Sequence, residues 1–337
     1  MYEWAGQYER LTIIDRFLSI TRTVNSSYHV YGSFGDVYIQ VALIKEKFDS
    51  SNIGAEKHKI CIFISPKYEQ LILYTFRDAS EYVVVWLIEN NLANLIFNNI
   101  NLLGRHENYP IRLLPTLYPL IAELINSGKL LYLDFMRNLI GSNCIGKIGA
   151  IESALHEEEA RRILADNNIR LGKTVLICAD NNSQATFSGE FWTEVINAVT
   201  HCGWEVCIND SGNITNDETV ILGSYRANLN IKFLKIPPHL PISLTKLMGS
   251  YIGGSNGFIT ICAHFAESTR GLHLINCLES ENGFNKTPGG ELIPIDCYFS
   301  RNSARGCEQG IQIEVPIFTM NDLVLVKQNI RSMLLAA

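Results

Sequence analysis

Tyr28-His-Val-Tyr-Gly32-Ser-Phe-Gly-Asp36-Val-Tyr-Ile-Gln-Val-Ala-Leu-Ile-Lys-Glu-Lys-Phe48 is the stretch on which the reading of the fold depends. Tyr28 to Tyr31 reads as a short strand, Gly32-Ser-Phe-Gly35 as a tight turn, and Asp36 to Phe48 as a helix. A strand passing through a glycine turn directly into a helix is the repeating unit of a parallel sheet, because parallel neighbours need a crossover connection. The rhythm continues downstream. Lys59 to Ile64 reads as a strand before a helix near Tyr68 to Phe76, and Tyr82 to Leu87 as a strand before a helix near Glu89 to Phe97. A further helix is expected near Tyr118 to Ser127, and the apolar spacing of Trp4 to Ile20 suggests an appended one.

A second series of the same kind opens at Lys173-Thr-Val-Leu-Ile-Cys178. A polar loop from Ala179 to Gly189 leads to a helix, Glu190 to His201, closed by Gly203. Strands are expected at Trp204 to Ile208, Thr219 to Leu222, Ile231 to Ile236 and Leu272 to Ile275. Helices are expected near Ile242 to Met248 and Phe258 to Ala266, with Tyr251-Ile-Gly-Gly-Ser-Asn-Gly257 as a strand running into a glycine-rich turn. The stretch from about Asn321 to Leu335 is amphipathic, with Thr319 placed to cap it and Asp322 three residues on. Ile151 to Ala165, containing Glu157-Glu-Glu-Ala-Arg-Arg162, reads as the end of the first domain or a linker. The expected organisation is therefore a domain over 1–168, a second over 169–320, and a C-terminal helix over 321–337.

Composition narrows the class. A chain of 337 residues that is 47% hydrophobic and 18% charged is long enough for two cores and too apolar for disorder. Its 28 Lys and Arg against 34 Asp and Glu give a net charge of −6, which argues against a nucleic-acid partner. The first ten residues show no basic region before an apolar run, and no apolar stretch approaches the roughly 20 residues of a membrane helix, so a cytoplasmic location is expected. Nine cysteines without a Cys-x-x-Cys pair read as reduced, buried residues. His156 beside Glu157, Glu158 and Glu159 lacks metal-ligand spacing, and no Gly-x-Ser-x-Gly elbow or Asp-x-Asp pair occurs. No metal and no cofactor are expected.

Ligands of open parallel sheets collect beyond the carboxyl ends of the strands. Two turns have suitable ingredients. In Gly32-Ser-Phe-Gly-Asp36, Asp36 reads either as an N-cap or as a general base at the mouth of a cleft. In Gly253-Gly-Ser-Asn-Gly257, free amides and a helix N-terminus would suit a diphosphate, with Ser255 and Asn256 adding hydrogen bonds; the plain alternative is an ordinary glycine-rich connection. The turn has no basic residue, so Arg270, Lys286, Arg301 and Arg305 are the candidates for neutralising charge. Trp192 and Trp204 read as core.

With these residues in view, the sequence resembles the heptosyltransferase-type glycosyltransferases. Gly-Ser-Phe-Gly-Asp36-Val before Ile39-Gln-Val-Ala-Leu-Ile-Lys-Glu-Lys-Phe48 is similar to that family's Gly-Asp-(Val/Ile) turn and the helix after it. Val175-Leu-Ile-Cys-Ala-Asp-Asn-Asn-Ser183, with Phe191-Trp-Thr-Glu-Val-Ile-Asn-Ala-Val199, is similar to its second Rossmann opening. Pro241 to Gly257 is similar to its run into an Asp-(Ser/Thr)-Gly-x-x-His donor loop, although the Asp and His are not reproduced and Thr260 stands where the His would fall. The resemblance implies a GT-B-like α/β fold, two Rossmann-type domains facing a central cleft, with the last helix crossing back onto the first domain. It implies an inverting, metal-independent transfer of sugar from a nucleotide-sugar co-substrate to a glycan or lipid-linked acceptor in bacterial surface polysaccharide synthesis. Asp36 would be the base, with Ser33, Phe34 and Gly35 near the acceptor. Gly253, Gly254, Ser255, Asn256, Gly257, Asn181, Arg301 and Arg305 would hold the donor. Peripheral contact with the inner membrane fits a lipid-linked acceptor. A sugar-nucleotide epimerase of the same fold and a non-catalytic glycan- or nucleotide-binding scaffold are the alternatives.

Overall fold

Strands with both faces buried read as nearly continuous apolar runs, and two such runs, Ile60-Cys-Ile-Phe-Ile64 and Thr174-Val-Leu-Ile-Cys178, form the centres of two parallel sheets. The computed structural model describes residues 19, 23–32, 34–51, 58–89, 111–112, 132–142, 148–179, 187–210, 231–254, 256–266, 269–276, 284–286, 292–294 and 312–335. The chain divides into two compact units, Met1–Tyr118 with Asp134–Ile145, and Pro119–Leu133 with Gly146–Ala337.

In the first unit, β1 (Ser26–His29), β2 (Ile60–Ile64), β3 (Val83–Leu87) and β4 (Ile111–Arg112) form a parallel sheet ordered β3-β2-β1-β4. Helix α1 (Phe34–Ser51) follows β1 and is buried from Val37 to Ile44 without a break, so it lies inside the unit rather than along its rim. α2 (Glu69–Thr75) follows β2 through a short 3₁₀ turn, Pro66–Tyr68. α3 (Tyr132–Ile140) is tied to α1 by Arg137, whose guanidinium grips the Glu46 carboxylate through two hydrogen bonds of 3.0 and 2.8 Å. The expected helices at Trp4–Ile20, Glu89–Phe97 and Tyr118–Ser127 lie outside the described residues, apart from Ser19 and Glu89.

The second unit contains α4 (Ala154–Asp166), β5 (Thr174–Cys178), α5 (Gly189–His201), β6 (Glu205–Asn209), β7 (Ile231–Leu234), α6 (Pro241–Met248), β8 (Gly249–Gly253), α7 (Gly257–Phe265) and β9 (Arg270–Asn276). A small antiparallel pair, β10 (Phe284–Lys286) with β11 (Leu292–Pro294), precedes β12 (Gln312–Ile317) and the final helix α8 (Leu323–Leu335). The six-stranded sheet is parallel throughout and ordered β12-β9-β8-β5-β6-β7. Counted from β5 as the unit's first strand, that is 6-5-4-1-2-3, the doubly wound dinucleotide-binding order read from its other edge. The expected strand at Thr219–Leu222 lies outside the described residues.

Two boundaries differ from the sequence reading. The charged helix expected to end the first domain belongs to the second unit, within its segment Gly146–Ala337, which starts before the expected 169. His156, Ala160 and Leu164 of α4 recur every fourth residue and are buried, while Glu157, Glu158, Arg161 and Arg162 face solvent. The Glu152 carboxylate just before α4 accepts the backbone N–H groups of Ile242 (2.7 Å) and Ser243, capping α6. The last helix does carry the expected Thr319–Asp322 capping box, formed across a 3₁₀ turn at Met320–Asp322. Its buried face was expected on the first domain. Instead Val326, Ile330, Met333 and Leu334 complete the second unit's core with Trp192, Val195 and Val199 of α5, and Lys327 pairs with Glu194.

Candidate functional site

Each sheet has one place where consecutive crossovers leave in opposite directions, and a crevice opens there beyond the strand ends. In the first sheet that place lies between β1 and β4. The ladder holds β1 as far as Val30, whose N–H donates to the Phe63 carbonyl at 2.9 Å. Tyr31 is next, and among the described residues no strand partner takes its peptide. The side chain of Gln40, one turn deeper in α1 than Asp36, takes it instead: Tyr31 N–H donates to Oε1 at 3.0 Å, and Nε2 donates to the Tyr31 carbonyl at 2.8 Å. Gln40 is fully buried.

Gly32 then adopts φ +131°, a conformation that a side chain would strain. The space a Cβ would occupy is taken by Asp36, with Cβ and Oδ2 each 2.9 Å away. Asp36 is the third residue of α1 rather than its cap, and it is half-buried. A carboxylate there is favoured by the helix dipole. Phe34 stacks on Tyr68 with ring centroids 6.1 Å apart and 13° between planes, and Lys67 Nζ sits 4.7 Å above the Tyr68 ring. Burial pushes the Tyr68 hydroxyl up from its ordinary value; Lys67 opposes that shift and the Asp36 charge adds to it. Of the residues expected near an acceptor, Phe34 has its ring on Tyr68, Gly35 is buried in the first turn of α1, and Ser33 lies outside the described residues.

The second sheet reverses between β5 and β8, the pair joined by the register Thr174↔Gly249 to Cys178↔Gly253. The glycine turn stands at the carboxyl end of β8, as expected. Its residues are arranged differently from the sequence reading. A Cβ on Gly253 would meet Ile259 Cδ1 and Cγ1 at 2.5 Å and the Cys178 carbonyl oxygen at 2.9 Å, so internal packing demands this glycine. Gly254 is buried and donates to the Cys178 carbonyl at 3.3 Å. Asn256 is buried; its Oδ1 accepts Ile259 N–H at 2.9 Å as the N-cap of α7, and its Nδ2 donates to Cys178 O at 3.4 Å. Its side chain is thus a structural cap. Gly257 is half-buried at the start of α7. Ser255, Asn181, Arg301 and Arg305 lie outside the described residues. Arg270 begins β9 level with Ser250, at the amino end of the sheet, and donates to the Met333 carbonyl at 2.6 Å, so it closes α8 and does not reach the turn.

Compared by sequence, the chain matches no protein-family model and no curated protein. Compared by structure, it is similar to the ADP-heptose LPS heptosyltransferase II of E. coli, at a TM-score of 0.57 and 10% identity over 92% of this chain and 98% of that one. E. coli heptosyltransferase WaaC with ADP gives 0.55 at 11% identity, over 91% and 99%. A glycosyl transferase family 9 protein from Veillonella parvula gives 0.54 at 10% identity, over 92% and 97%. The chain has the GT-B-like fold of the heptosyltransferases.

Within that fold, the sequence reading missed Gln40, although it was visible as the one amide in the apolar run Val37-Tyr-Ile-Gln-Val-Ala-Leu-Ile44. A second missed group is His156 with His239. His156 Nδ1 accepts the Ser153 backbone N–H at 2.9 Å, the two rings lie 6.2 Å apart, and His239 Nε2 is 3.5 Å from Glu159 Oε1. Burial pushes both imidazoles below their ordinary value of 6.5; Glu159 opposes the shift in each, and His239 adds to that of His156. Among the described residues no three His, Cys, Asp or Glu side chains are grouped to hold a metal ion, and no helix is long and apolar enough to cross a membrane.

Proposed function

We propose that this protein transfers a sugar from a nucleotide-sugar donor to a saccharide or lipid-linked saccharide acceptor, inverting the anomeric carbon without a metal. The observation that carries the reading is the Asp36 carboxylate, half-buried in the first turn of α1 at the crossover point of its sheet, seated over a glycine that leaves room for it. A carboxylate held there can take the proton of an acceptor hydroxyl as that oxygen attacks C1 of the donor sugar. The C1–oxygen bond to the diphosphate breaks, and the nucleoside diphosphate departs with the electron pair. On this reading the donor lies at the β5/β8 crossover point. The first amides of α7, which have no partner within the helix, would hold the diphosphate. The E. coli heptosyltransferase that is similar in fold was solved with ADP, which makes ADP the first nucleotide to try.

The test is calorimetric titration with ADP, UDP, GDP and CDP, followed by a turnover assay with sugars of whichever nucleotide binds. Asp36→Asn should lower transfer about 10²–10⁴-fold, the usual worth of a general base, and leave nucleotide affinity within twofold. Failure of every nucleotide to bind, or wild-type transfer by Asp36→Asn, overturns the proposal. One observation favours a non-catalytic nucleotide-binding scaffold: the turn's described polar side chain, Asn256, is committed to capping α7. Nucleotide binding with no turnover of any sugar nucleotide would support that reading.

A further inference from the structure

We propose that Gln40 is the positioning residue for Asp36, an inference that rests on the assignment of Asp36 as the base. Among the described residues Val30 is the last of this strand fixed by a ladder hydrogen bond, and α1 begins at Phe34. Between them the backbone must turn through Gly32 at φ +131°, and the Asp36 side chain lies directly on that glycine. Where the carboxylate points therefore depends on the orientation of the 31–32 peptide. Both main-chain polar groups of Tyr31 are held by a single buried amide, Oε1 accepting at 3.0 Å and Nε2 donating at 2.8 Å. A primary amide carries a permanent acceptor and a permanent donor side by side, so it can accept from the N–H and donate to the C=O of one residue at once at any pH. Asp36 and Gln40 stand four residues apart on one face of α1, so consecutive backbone residues, Gly32 and Tyr31, are held by consecutive turns of the same helix. Being buried, Gln40 touches no substrate and acts through the turn.

The clamp makes a pH signature available. In Gln40→Glu the side chain can still accept from Tyr31 N–H, but it can donate to the Tyr31 carbonyl only when protonated. Turnover per folded molecule of Gln40→Glu should therefore rise toward wild type as the pH is lowered, whereas Gln40→Leu, which cannot restore the bond, should stay at least tenfold low at every pH. Nucleotide affinity should be unchanged in both, placing the loss in kcat rather than in donor binding. A readout independent of turnover accompanies this: the ¹³C carboxyl signal of Asp36, assigned by its loss in Asp36→Asn, should shift its titration midpoint in Gln40→Leu, and amide exchange at Tyr31 should accelerate. Loss of turnover in Asp36→Asn with wild-type turnover in Gln40→Leu overturns the role of Gln40 and leaves the base in place. Wild-type turnover in Asp36→Asn overturns the base itself. An unmoved Asp36 titration in Gln40→Leu overturns the positioning role whether or not a substrate has been found.

Discussion

Gly253→Ala separates two explanations of the glycine at the end of β8. If the residue is small so that a ligand can approach the backbone, an added methyl group should leave stability alone and weaken nucleotide binding. The geometry predicts the opposite order of effects. The new Cβ would stand 2.5 Å from Ile259 Cδ1 and Cγ1 and 2.9 Å from the Cys178 carbonyl oxygen, against the roughly 3.5–4.0 Å at which carbon atoms pack. Ile259 is 2% exposed and the carbonyl belongs to β5, so neither neighbour yields freely. Overpacking of this kind costs about 1–3 kcal/mol. At roughly 2–4 °C per kcal/mol for a unit of this size, Tm should fall by about 2–12 °C. The assay is thermal unfolding followed by circular dichroism, with the double variant Gly253→Ala/Ile259→Ala as control. Ile259→Ala alone should cost about 2–5 kcal/mol by leaving a cavity. The added methyl fills part of that cavity, so the double variant should be more stable than the sum of the two losses by about 1 kcal/mol or more. Unchanged Tm in Gly253→Ala, or strict additivity in the double variant, would refute the packing account.

Other expectations concern the contact between α4 and α6. His156 and His239 have folded-state values below the ordinary 6.5, so the unfolded chain binds more protons as pH falls. Their contribution to stability should be complete above about pH 6.5 and decline as pH drops below it; Tm measured from pH 8 to 5 should fall, and a His156→Gln/His239→Gln variant should show a shallower fall. Equal slopes in the two proteins would dismiss the pair as the source. Glu152→Ala leaves the Ile242 and Ser243 amides of α6 without their carboxylate and should cost about 1–3 kcal/mol in chemical denaturation, with Glu152→Gln intermediate; a loss below about 0.5 kcal/mol would contradict the cap.

Parallel sheets were legible because fully buried strands cannot alternate, and Ile60–Ile64 and Thr174–Cys178 are apolar at every position but one. β12 was not, because Pro316 sits inside it. That residue is tolerated because β12 is an edge strand, where a missing N–H need not break the ladder. The place of α4 was hidden by its solvent face: the Glu and Arg residues suggest a linker, and the stripe His156, Ala160, Leu164 that packs it is three residues wide. For α8 the amphipathic pattern was plain and its partner was not. A hydrophobic stripe states that a face is covered and carries no record of what covers it.

Glycines show the same ambiguity at the site. The turns at 32 and at 253 look alike in the sequence, each promising room for a ligand beside a helix N-terminus. At Gly32 the room is taken by the Asp36 carboxylate and the backbone has positive φ, so the glycine makes way for a polar side chain of the helix that follows it. At Gly253 the room is taken by Ile259 of the following helix and by β5. A glycine reports that no Cβ fits and leaves unsaid which atoms exclude it. The distinction changes what each turn can do. Asn256 already satisfies the Ile259 amide, so an anion at the second turn would meet the main-chain N–H groups of Gly257 and Phe258, which open α7. Recognition by main chain survives substitution of side chains. Loss of the Asn256 cap should therefore act on that anion indirectly, by fraying the first turn of α7, and Asn256→Asp, which keeps an accepting oxygen, should preserve the helix while its negative charge weakens anion binding.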